Sequence, residues 1–143
     1  MHFLMKLMLI FFILLSLFSF GQNMEKHLWK NRVLLIYSID EKSQKLENQL
    51  TILREHKKKL LERKIVVYSF TEKRYSFNFK NKWENSEILY SKFNPKNEPF
   101  AVILIGLDGE IKLEQPTILS TEKLFTIIDG MPIRKREIRN KNQ

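Results

Sequence analysis

The sequence predicts an α/β domain in which helices flank a central mixed sheet, and three patterns support this class. An apolar run starting at Val33, a helical stretch over 41–63 and a second apolar run over 65–70 form a strand–helix–strand unit, which implies a parallel pair with a right-handed crossover. Two further apolar runs on either side of 108–109 predict a hairpin. The helical pattern over 120–130 then closes the domain, so the predicted order is β-α-β-(α)-β-β-α.

The first three elements are defined by their apolar side chains. Both strands are short apolar runs bounded by polar residues, which is typical of buried strands. The helical stretch carries one apolar stripe that Lys57 interrupts, so we expect the end of this helix to be looser than its start. The stripe consists of Leu46, Leu50, Leu53, Leu60 and Leu61.

Weaker patterns lie between 71 and 98, a stretch rich in Lys, Asn and aromatic residues. The segment "RYSFNF" alternates polar and aromatic residues and predicts an edge strand, whereas "NSEILYSKF" predicts a short helix capped by Asn85 or Ser86. Phe77 and Phe79 have basic neighbours, and two interpretations stay open: a surface for a sugar or another extended ligand, or packing in the core.

Turn and cap residues define the last three elements. Asp108-Gly109 is a preferred pair for a type I′ hairpin turn, which requires a positive φ at Gly109. Ser120 is placed to cap the last helix. Gly130 suits the C′ position after that helix, and Pro132 prevents the helix from continuing.

The ending of the chain is expected to complete the fold as far as Glu137. Arg134 lies within chain reach of Asp129 and of Glu137, so a partly buried ion pair is predicted there. The segment 138–143 has one apolar residue and no turn signal, so we expect it to be a frayed basic tail.

The first 21 residues predict a signal peptide rather than a part of the fold. A short head with Lys6 precedes an apolar run over 7–15, which is shorter than the roughly 20 residues needed to span a bilayer. Ser19 and Gly21 have the spacing that signal peptidase reads, which predicts cleavage after Gly21; an uncleaved N-terminal anchor is the alternative. We therefore expect an exported bacterial protein, periplasmic or extracellular, with one domain over 22–137 and no transmembrane span in the mature chain.

Charge and cysteine content narrow the function classes. The chain has 25 Lys and Arg against 16 Asp and Glu, a formal net charge of +9 that falls to +8 when Lys6 leaves with the signal peptide. A basic protein favours acidic polysaccharide, lipid headgroups or nucleic acid, and export makes nucleic acid the least favoured of these partners. The absence of cysteine excludes thiol–disulfide exchange, thiol-dependent peroxidase activity and cysteine metal sites.

Four segments resemble a known family: "WKNRVLLIY" at 29–37, "LLERKIVV" at 60–67, "ILIGLDGEIK" at 103–112 and "IDGMPIRKRE" at 128–137. They make the chain similar to the thioredoxin-like (peroxiredoxin-like) domain of unknown function of small bacterial exported proteins, which also occurs in extracellular animal proteins of the sushi-repeat and Equarin type. The resemblance implies a single thioredoxin-like domain. After the Glu-Arg pair, where the family usually has an acidic residue, this chain has Lys64.

The resemblance also locates a candidate ligand site. Thioredoxins carry their redox cysteines just after the first strand, and "VLLIYSIDEKSQK" matches that position. The candidate ligand-binding residues there are Ser38, Asp40, Lys42, Ser43 and Lys45. A nucleophilic serine requires a nearby base, but His27 precedes the first strand and His56 lies late in the helical stretch, so no catalytic residue is assigned.

No metal site and no cofactor are expected. His27 and His56 are 29 positions apart without clustered carboxylates, which does not match the spacing of zinc ligands. Asp40 and Glu41 are ordinary partners of a helix N-terminus. The four glycines form no phosphate-binding loop.

Basic side chains form the second candidate site, for a polyanion. They lie late in the helical stretch and in the ending: Arg54, Lys57, Lys58, Lys59, Arg63, Lys64, Lys135, Arg136 and Arg139. On one helix, the first six spread around much of the circumference. The sequence thus predicts an exported, non-catalytic binding module with an unknown protein or acidic polysaccharide partner. A polyanion-binding surface protein and an enzyme that uses non-thiol residues at the C-terminal end of the sheet are the alternatives.

Overall fold

The structure, a computed structural model, describes residues 1–19, 22–93, 95 and 98–143. The predicted cleavage point after Gly21 lies outside these residues. The strands are β1 (Arg32–Ser38), β2 (Ile65–Phe70), β3 (Arg74–Phe77), β4 (Glu84–Asn85), β5 (Phe100–Ile105) and β6 (Ile111–Gln115). The helices are α1 (His2–Ser19), α2 (Gln22–Glu25), α3 (Gln44–Arg54), α4 (Lys57–Glu62), α5 (Ile88–Phe93), α6 (Thr121–Asp129) and α7 (Pro132–Lys141).

Within the described residues, six strands form one mixed sheet with the order β4-β3-β2-β1-β5-β6. β1 is parallel to β2, and the other neighbours are antiparallel. The parallel pair is the predicted strand–helix–strand unit, so the α/β class with helices flanking a mixed sheet is confirmed. The "RYSFNF" segment contributes β3, which is not the edge strand, because the short β4 pairs with its outer side.

Alternate side chains of β1 enter two separate cores, one on each face of the sheet. Leu34 and Ile36 pack with residues of α3, α4 and α6, whereas Val33, Leu35 and Tyr37 pack in the cluster that includes α5. β1 is buried along its whole length, and this burial extends beyond the apolar run to the polar residues Arg32 and Ser38 at its ends. We refer below to these two sides as the α3 face and the α5 face.

The helical stretch over 41–63 is two helices rather than one. α3 ends at Arg54 and α4 begins at Lys57, with a turn at 55–56. Lys57, which interrupts the apolar stripe, is the first residue of the second helix. The break keeps Leu60 buried but leaves Leu61, a predicted member of the stripe, 77% exposed.

The hairpin between β5 and β6 has the predicted positive φ at Gly109, +81°, but it is not a type I′ turn. The Gly109 amide donates to the Gly106 carbonyl at 3.1 Å, so the central residues are Leu107 and Asp108, neither of which has a positive φ. Leu107 is buried, and the loop holds three residues, 107–109, because the Gly106 amide donates to the Glu110 carbonyl at 2.9 Å. The left-handed Gly109 then leads the chain into β6 with a register shift after Leu104.

The ending forms a helix where a stop and a frayed tail are predicted. Gly130 has a φ of −80°, a right-handed conformation, and Pro132 is the first residue of α7. Proline suits that position because its fixed φ is helical and its missing N–H is not needed in the first turn. α7 runs to Lys141, so most of the 138–143 segment is helical, with exposed side chains.

α1 contains most of the predicted signal peptide. The side chains of residues 1–10 are exposed, including the apolar ones. Across the described residues, no helix combines the length and the apolar character required to cross a membrane.

Candidate functional site

The loop after β1 uses its polar groups to bond its own backbone. Ser38 is buried, and its hydroxyl donates to the Asp40 carbonyl at 2.9 Å. The Asp40 carboxylate accepts from the Lys42 amide at 3.0 Å. The Ser43 hydroxyl accepts from the Leu46 amide at 3.4 Å, which makes Ser43 the N-cap of α3. These contacts give the loop a structural role as the start of a helix.

Neighbouring charged side chains are also engaged. Lys45 donates to the Pro116 carbonyl at 3.2 Å, and its ammonium lies 4.9 Å from the centre of the Phe100 ring. Glu41 pairs with Arg74 at 2.7 Å. Within the described part of the chain, no three His, Asp or Glu side chains are grouped so that they could hold a metal ion. The loop's hydroxyls thus have backbone partners and no side-chain base, as far as the structure describes them.

The basic candidate residues differ in their surroundings. Arg54 and Lys57 lie 5.8 and 5.4 Å from the centre of the Phe79 ring. Lys58 and Lys59 are exposed on α4. The basic surface of α7 consists of Lys135, Arg136 and Arg139, beside Pro132 and Ile138. Arg63 and Lys64, like Arg54, belong to ion pairs.

An ion-pair network joins the end of α4 to α6 and α7. Arg63 donates two hydrogen bonds to Asp129, of 3.0 and 2.9 Å, and its guanidinium lies 4.2 Å from the centre of the Phe125 ring. The predicted pairs of Arg134 with Asp129 and Glu137 are present, at 3.4 and 3.3 Å. The hydrogen bonds from Arg63 hold the pKa of Asp129 below its usual value, and Arg134 adds to this effect. These contacts attach the ending to the domain.

Arg32, the first residue of β1, is a member of this network that sequence inspection misses. Its side chain is 1% exposed, and its Nη1 donates to the Arg63 carbonyl at 2.9 Å and lies 3.4 Å from Glu137. Its Nε is buried without a partner among the described residues. Lys64 reaches the same carboxylate at 3.6 Å. Glu137 therefore forms ion pairs with Arg32, Lys64 and Arg134, and its pair with Arg32 links α7 to the start of β1.

A depression on the α5 face brings aromatic and charged side chains together at the outer strands. It has a volume of about 200 Å³. The aromatic depression is lined by Lys26, Tyr68, Tyr75, Phe77, Lys80, Lys82 and Glu84. Its aromatic members are buried or half-buried and its lysines are exposed, so rings form the floor and ammonium groups form the rim. Three lysines against one glutamate leave a formal excess of two positive charges.

Cross-strand pairing builds the floor of the aromatic depression. Tyr68 lies opposite Phe77 in the register of β2 and β3, with ring centres 4.7 Å apart, and Tyr75 lies 6.2 Å from Tyr68. The Tyr75 hydroxyl donates to Glu84 of β4 at 2.6 Å. This hydrogen bond raises the pKa of Tyr75 and lowers the pKa of Glu84, so Glu84 stays ionised at neutral pH.

A strained turn positions part of the rim. Asn78 and Phe79 have φ values of +48° and +64°, and the Lys80 amide donates to the Phe77 carbonyl at 3.1 Å, which is the type I′ geometry. A phenylalanine with positive φ is rare, and such strain is found disproportionately at functional sites. The turn brings the Lys80 ammonium to 5.8 Å from the centre of the Phe77 ring, and Lys26 lies 5.9 Å from the same ring.

A buried histidine is hydrogen-bonded to the floor. His27, in the segment before β1, is 6% exposed, and its Nε2 lies 2.7 Å from the Tyr68 hydroxyl. Its Nδ1 lies 3.1 Å from the amide oxygen of Asn31, which can only accept, so Nδ1 carries the proton and Nε2 accepts from Tyr68. Burial lowers the pKa of His27 and raises the pKa of Tyr68 to about 12, so both side chains are neutral at neutral pH.

Sequence inspection finds the aromatic segment of this site but not its composition. Phe77 and Phe79 pack on opposite faces of the sheet, Phe77 on the α5 face and Phe79 on the α3 face. The period-two spacing of Tyr75 and Phe77 in β3 is the signal that places both on one face. Tyr68, which packs against both, is hydrogen-bonded to His27 in the segment before β1. These two residues are 41 positions apart, so no local sequence pattern relates them.

A comparison with known families finds a match that covers most of the chain. A family model described as "Domain of unknown function (DUF4174)" matches residues 23–137. The matched range includes every residue of the aromatic depression and ends at Glu137, the last member of the ion-pair network. No curated protein matches the chain.

Proposed function

The chain belongs to the family described as Domain of unknown function (DUF4174), and from its own geometry we propose that it is an exported, non-catalytic binding module for an acidic polysaccharide. The observation that carries the proposal is the aromatic depression, in which exposed ammonium groups surround a floor of aromatic rings. A uronic acid, a sugar ring that bears a carboxylate, fits both features.

Rings and ammonium groups recognise different parts of such a sugar. A pyranose presents C–H groups on its faces, and these pack against the faces of aromatic side chains. Its carboxylate is attracted by Lys26, Lys80 and Lys82. Among the described ion pairs, only Lys82 of these three has an acidic partner, Glu84 at 3.6 Å, so Lys26 and Lys80 are available to the ligand.

The size of the aromatic depression suits one sugar unit of a longer chain. Its volume of about 200 Å³ is below the roughly 300–1,000 Å³ of pockets that enclose a drug-sized ligand. A polymer with a repeated charge can rebind at neighbouring basic groups, which raises its avidity without a deeper pocket. The formal net charge of +8 that remains after the loss of Lys6 adds a long-range attraction for such a polyanion.

The fold and the N-terminus support an exported thioredoxin-like module. The strands β2-β1-β5-β6 are adjacent in this order, with β1 parallel to β2 and β5 antiparallel to both β1 and β6. This is the arrangement expected of a thioredoxin-like core. The exposed apolar side chains of residues 1–10 suit a segment that is removed from the mature domain. We place cleavage after Gly21 and the mature protein in the periplasm or outside the cell, where polysaccharide is accessible and nucleic acid is scarce.

An enzyme that uses non-thiol residues is the alternative from another class, and the geometry supports it less well. Tyr68 and His27 resemble a nucleophile and its base, but burial raises the pKa of Tyr68 to about 12, so its phenolate is scarce near neutral pH. At the C-terminal end of the sheet, the Ser38 hydroxyl donates to a backbone carbonyl. Turnover of a polysaccharide by the wild type, abolished in Tyr68→Phe, would favour the enzyme.

The basic surface of α7 favours a second candidate, a polyanion bound without an aromatic floor. Lys135, Arg136 and Arg139 are exposed there beside Ile138. None of the three takes part in the ion pairs that the structure describes. Such a surface attracts any flexible polyanion and does not select the shape of a sugar ring.

Two charge reversals of equal size distinguish these surfaces. Lys26→Glu with Lys80→Glu changes the rim of the aromatic depression, and the matched control, Lys135→Glu with Arg139→Glu, changes α7. Isothermal titration calorimetry at about 0.15 M ionic strength measures the affinity for a uronic-acid tetrasaccharide and for its carboxyl-reduced form. The rim variant should lose about tenfold or more in affinity for the acidic sugar, and the α7 variant less than about twofold.

Each other result has a distinct meaning. Lower affinity in the α7 variant alone would favour the second candidate. An equal loss of affinity in both variants would show that the interaction depends on net charge and not on either surface. If the carboxyl-reduced sugar binds as tightly as the acidic sugar, the carboxylate is not recognised and this part of the proposal is wrong. Absence of binding by the wild type would contradict it and leave a protein as the expected partner.

A further inference from the structure

The direction of the hydrogen bond between His27 and Tyr68 depends on whether the imidazole of His27 is protonated. Tyr68 lines the aromatic depression, and His27 meets its hydroxyl at 2.7 Å in the interior. Both residues are nearly inaccessible to water, at 6% and 4% exposed. The proposed function uses the ring of Tyr68 and leaves its hydroxyl and His27 without a role.

With His27 neutral, the hydroxyl proton of Tyr68 is directed to the interior. The amide oxygen of Asn31 keeps the imidazole proton on Nδ1, so Nε2 can only accept. Tyr68 therefore donates to Nε2. Toward a ligand, the Tyr68 oxygen is then an acceptor only, and a carboxylate, which has no proton to donate, gains no hydrogen bond from it.

Protonation of Nε2 reverses this hydrogen bond. Nδ1 still donates to Asn31, and Nε2 now donates to the Tyr68 oxygen. The hydroxyl proton is thereby released from Nε2 and can turn toward the aromatic depression, which the Tyr68 side chain lines. We propose that His27 acts through Tyr68 as a positioning residue that makes the aromatic depression bind a carboxylate more tightly at acidic than at neutral pH. This inference rests on the proposed function and specifies how that same site is regulated.

The groups around the imidazole set the pH range of this effect. The charged and titratable side chains on the packed elements are Glu25, Lys26, Tyr68, Tyr75, Lys80, Lys82, Glu84 and Lys92. Glu25 and Lys92 line the same small cavity of about 140 Å³ as His27 and oppose each other in charge. Burial, followed by the charge of Lys26, lowers the pKa of His27, so the free protein switches below about pH 6.5. A bound carboxylate favours the imidazolium and raises that pKa by linkage.

The test measures the affinity of the wild type and of Tyr68→Phe for the uronic-acid tetrasaccharide at about pH 5 and about pH 7.5, on either side of the ordinary imidazole pKa. Sugar carboxylates, and Glu84 with its lowered pKa, stay ionised over this range. The wild type should bind about tenfold more tightly at the lower pH, the effect of one added hydrogen bond to a charged group. Tyr68→Phe should bind equally at both values, because it has no hydroxyl to release.

A second measurement needs no variant. The ring signals of His27 in NMR spectra report its pKa, which should rise when the tetrasaccharide is added, whereas the signals of His56, near Phe125 on the α3 face, should not respond. Because burial lowers the His27 pKa, its protonation costs folding free energy as the pH falls below about 6.5, so circular dichroism must verify folding at both pH values.

The outcomes separate this inference from the proposed function. A wild type without pH dependence, the same pH dependence in Tyr68→Phe, or a His27 pKa that the ligand does not move would overturn the inference and leave the binding site intact. Absence of tetrasaccharide binding at either pH would overturn both.

Discussion

Loss of one carboxylate near the end of the chain should destabilise the whole domain, because Glu137 is the counterion of a buried arginine. Arg32 is 1% exposed, lies 3.4 Å from Glu137, and otherwise donates to the Arg63 carbonyl. Glu137→Gln keeps the size of the side chain and one acceptor oxygen but removes the charge. Breaking a fully buried pair costs about 3–5 kcal/mol. Since Glu137 is 16% exposed and the carbonyl contact remains, we expect a loss of about 2–3 kcal/mol in the free energy of unfolding.

The matched control is Glu47→Gln. Glu47 and Arg54 also meet at 3.4 Å, but their side chains are 59% and 39% exposed. Exposed ion pairs contribute about 0.2–1 kcal/mol. Glu47→Gln should therefore lower the free energy of unfolding far less than Glu137→Gln. Because the two ion pairs have the same distance, the difference reports the effect of burial.

Urea denaturation followed by circular dichroism measures both losses, because a shift of midpoint at constant slope reports a change in stability. We expect Glu137→Gln to lose at least about 1 kcal/mol more than Glu47→Gln. Equal losses, or a Glu137→Gln variant as stable as the wild type, would show that Arg32 does not depend on this carboxylate and that the ending is not coupled to β1.

Three further predictions concern the backbone and the N-terminus. Gly109→Ala should cost about 1–2 kcal/mol, because its φ is +81° and the added Cβ meets a side chain at 3.1 Å, whereas Gly130→Ala, at φ −80°, should leave the urea midpoint unchanged or higher. Lys64→Gly should raise the midpoint, since relief of a φ of +54° outweighs the loss of its ion pair with Glu137, in which the Lys64 side chain is 53% exposed; a lower midpoint would refute this. N-terminal sequencing of the exported protein should show cleavage after Gly21, and a retained Met1 would instead support an uncleaved anchor.

Elements that depend on adjacent residues follow from the sequence. The largely apolar run over 65–70 coincides with β2, because a strand buried in the sheet interior is apolar over most of its length and polar residues mark its ends. Ser120 is the N-cap of α6, as its position predicts, and its hydroxyl accepts from the Lys123 amide. In both cases the deciding residues lie within one or two turns of chain.

Features that depend on distant residues do not follow from the sequence in this way. Pro132 is read as a stop, but it begins α7, a helix held to the domain by ion pairs with β1, α6 and the residue before β2. Arg32 is read as a polar boundary of β1, but a carboxylate 105 positions later neutralises it. The aromatic depression requires the register of β2 and β3, which places Tyr68 opposite Phe77, and the resemblance to thioredoxins directs attention to the loop after β1 instead.

The most direct test of the proposed binding site is a map of amide chemical-shift changes when the uronic-acid tetrasaccharide is added to isotope-labelled protein. We expect the largest saturable changes at Tyr68, Tyr75, Phe77 and Lys80, with no comparable change on α7. Largest changes on α7 or in the loop after β1, or no saturable change at all, would contradict the proposal that the aromatic depression holds the ligand.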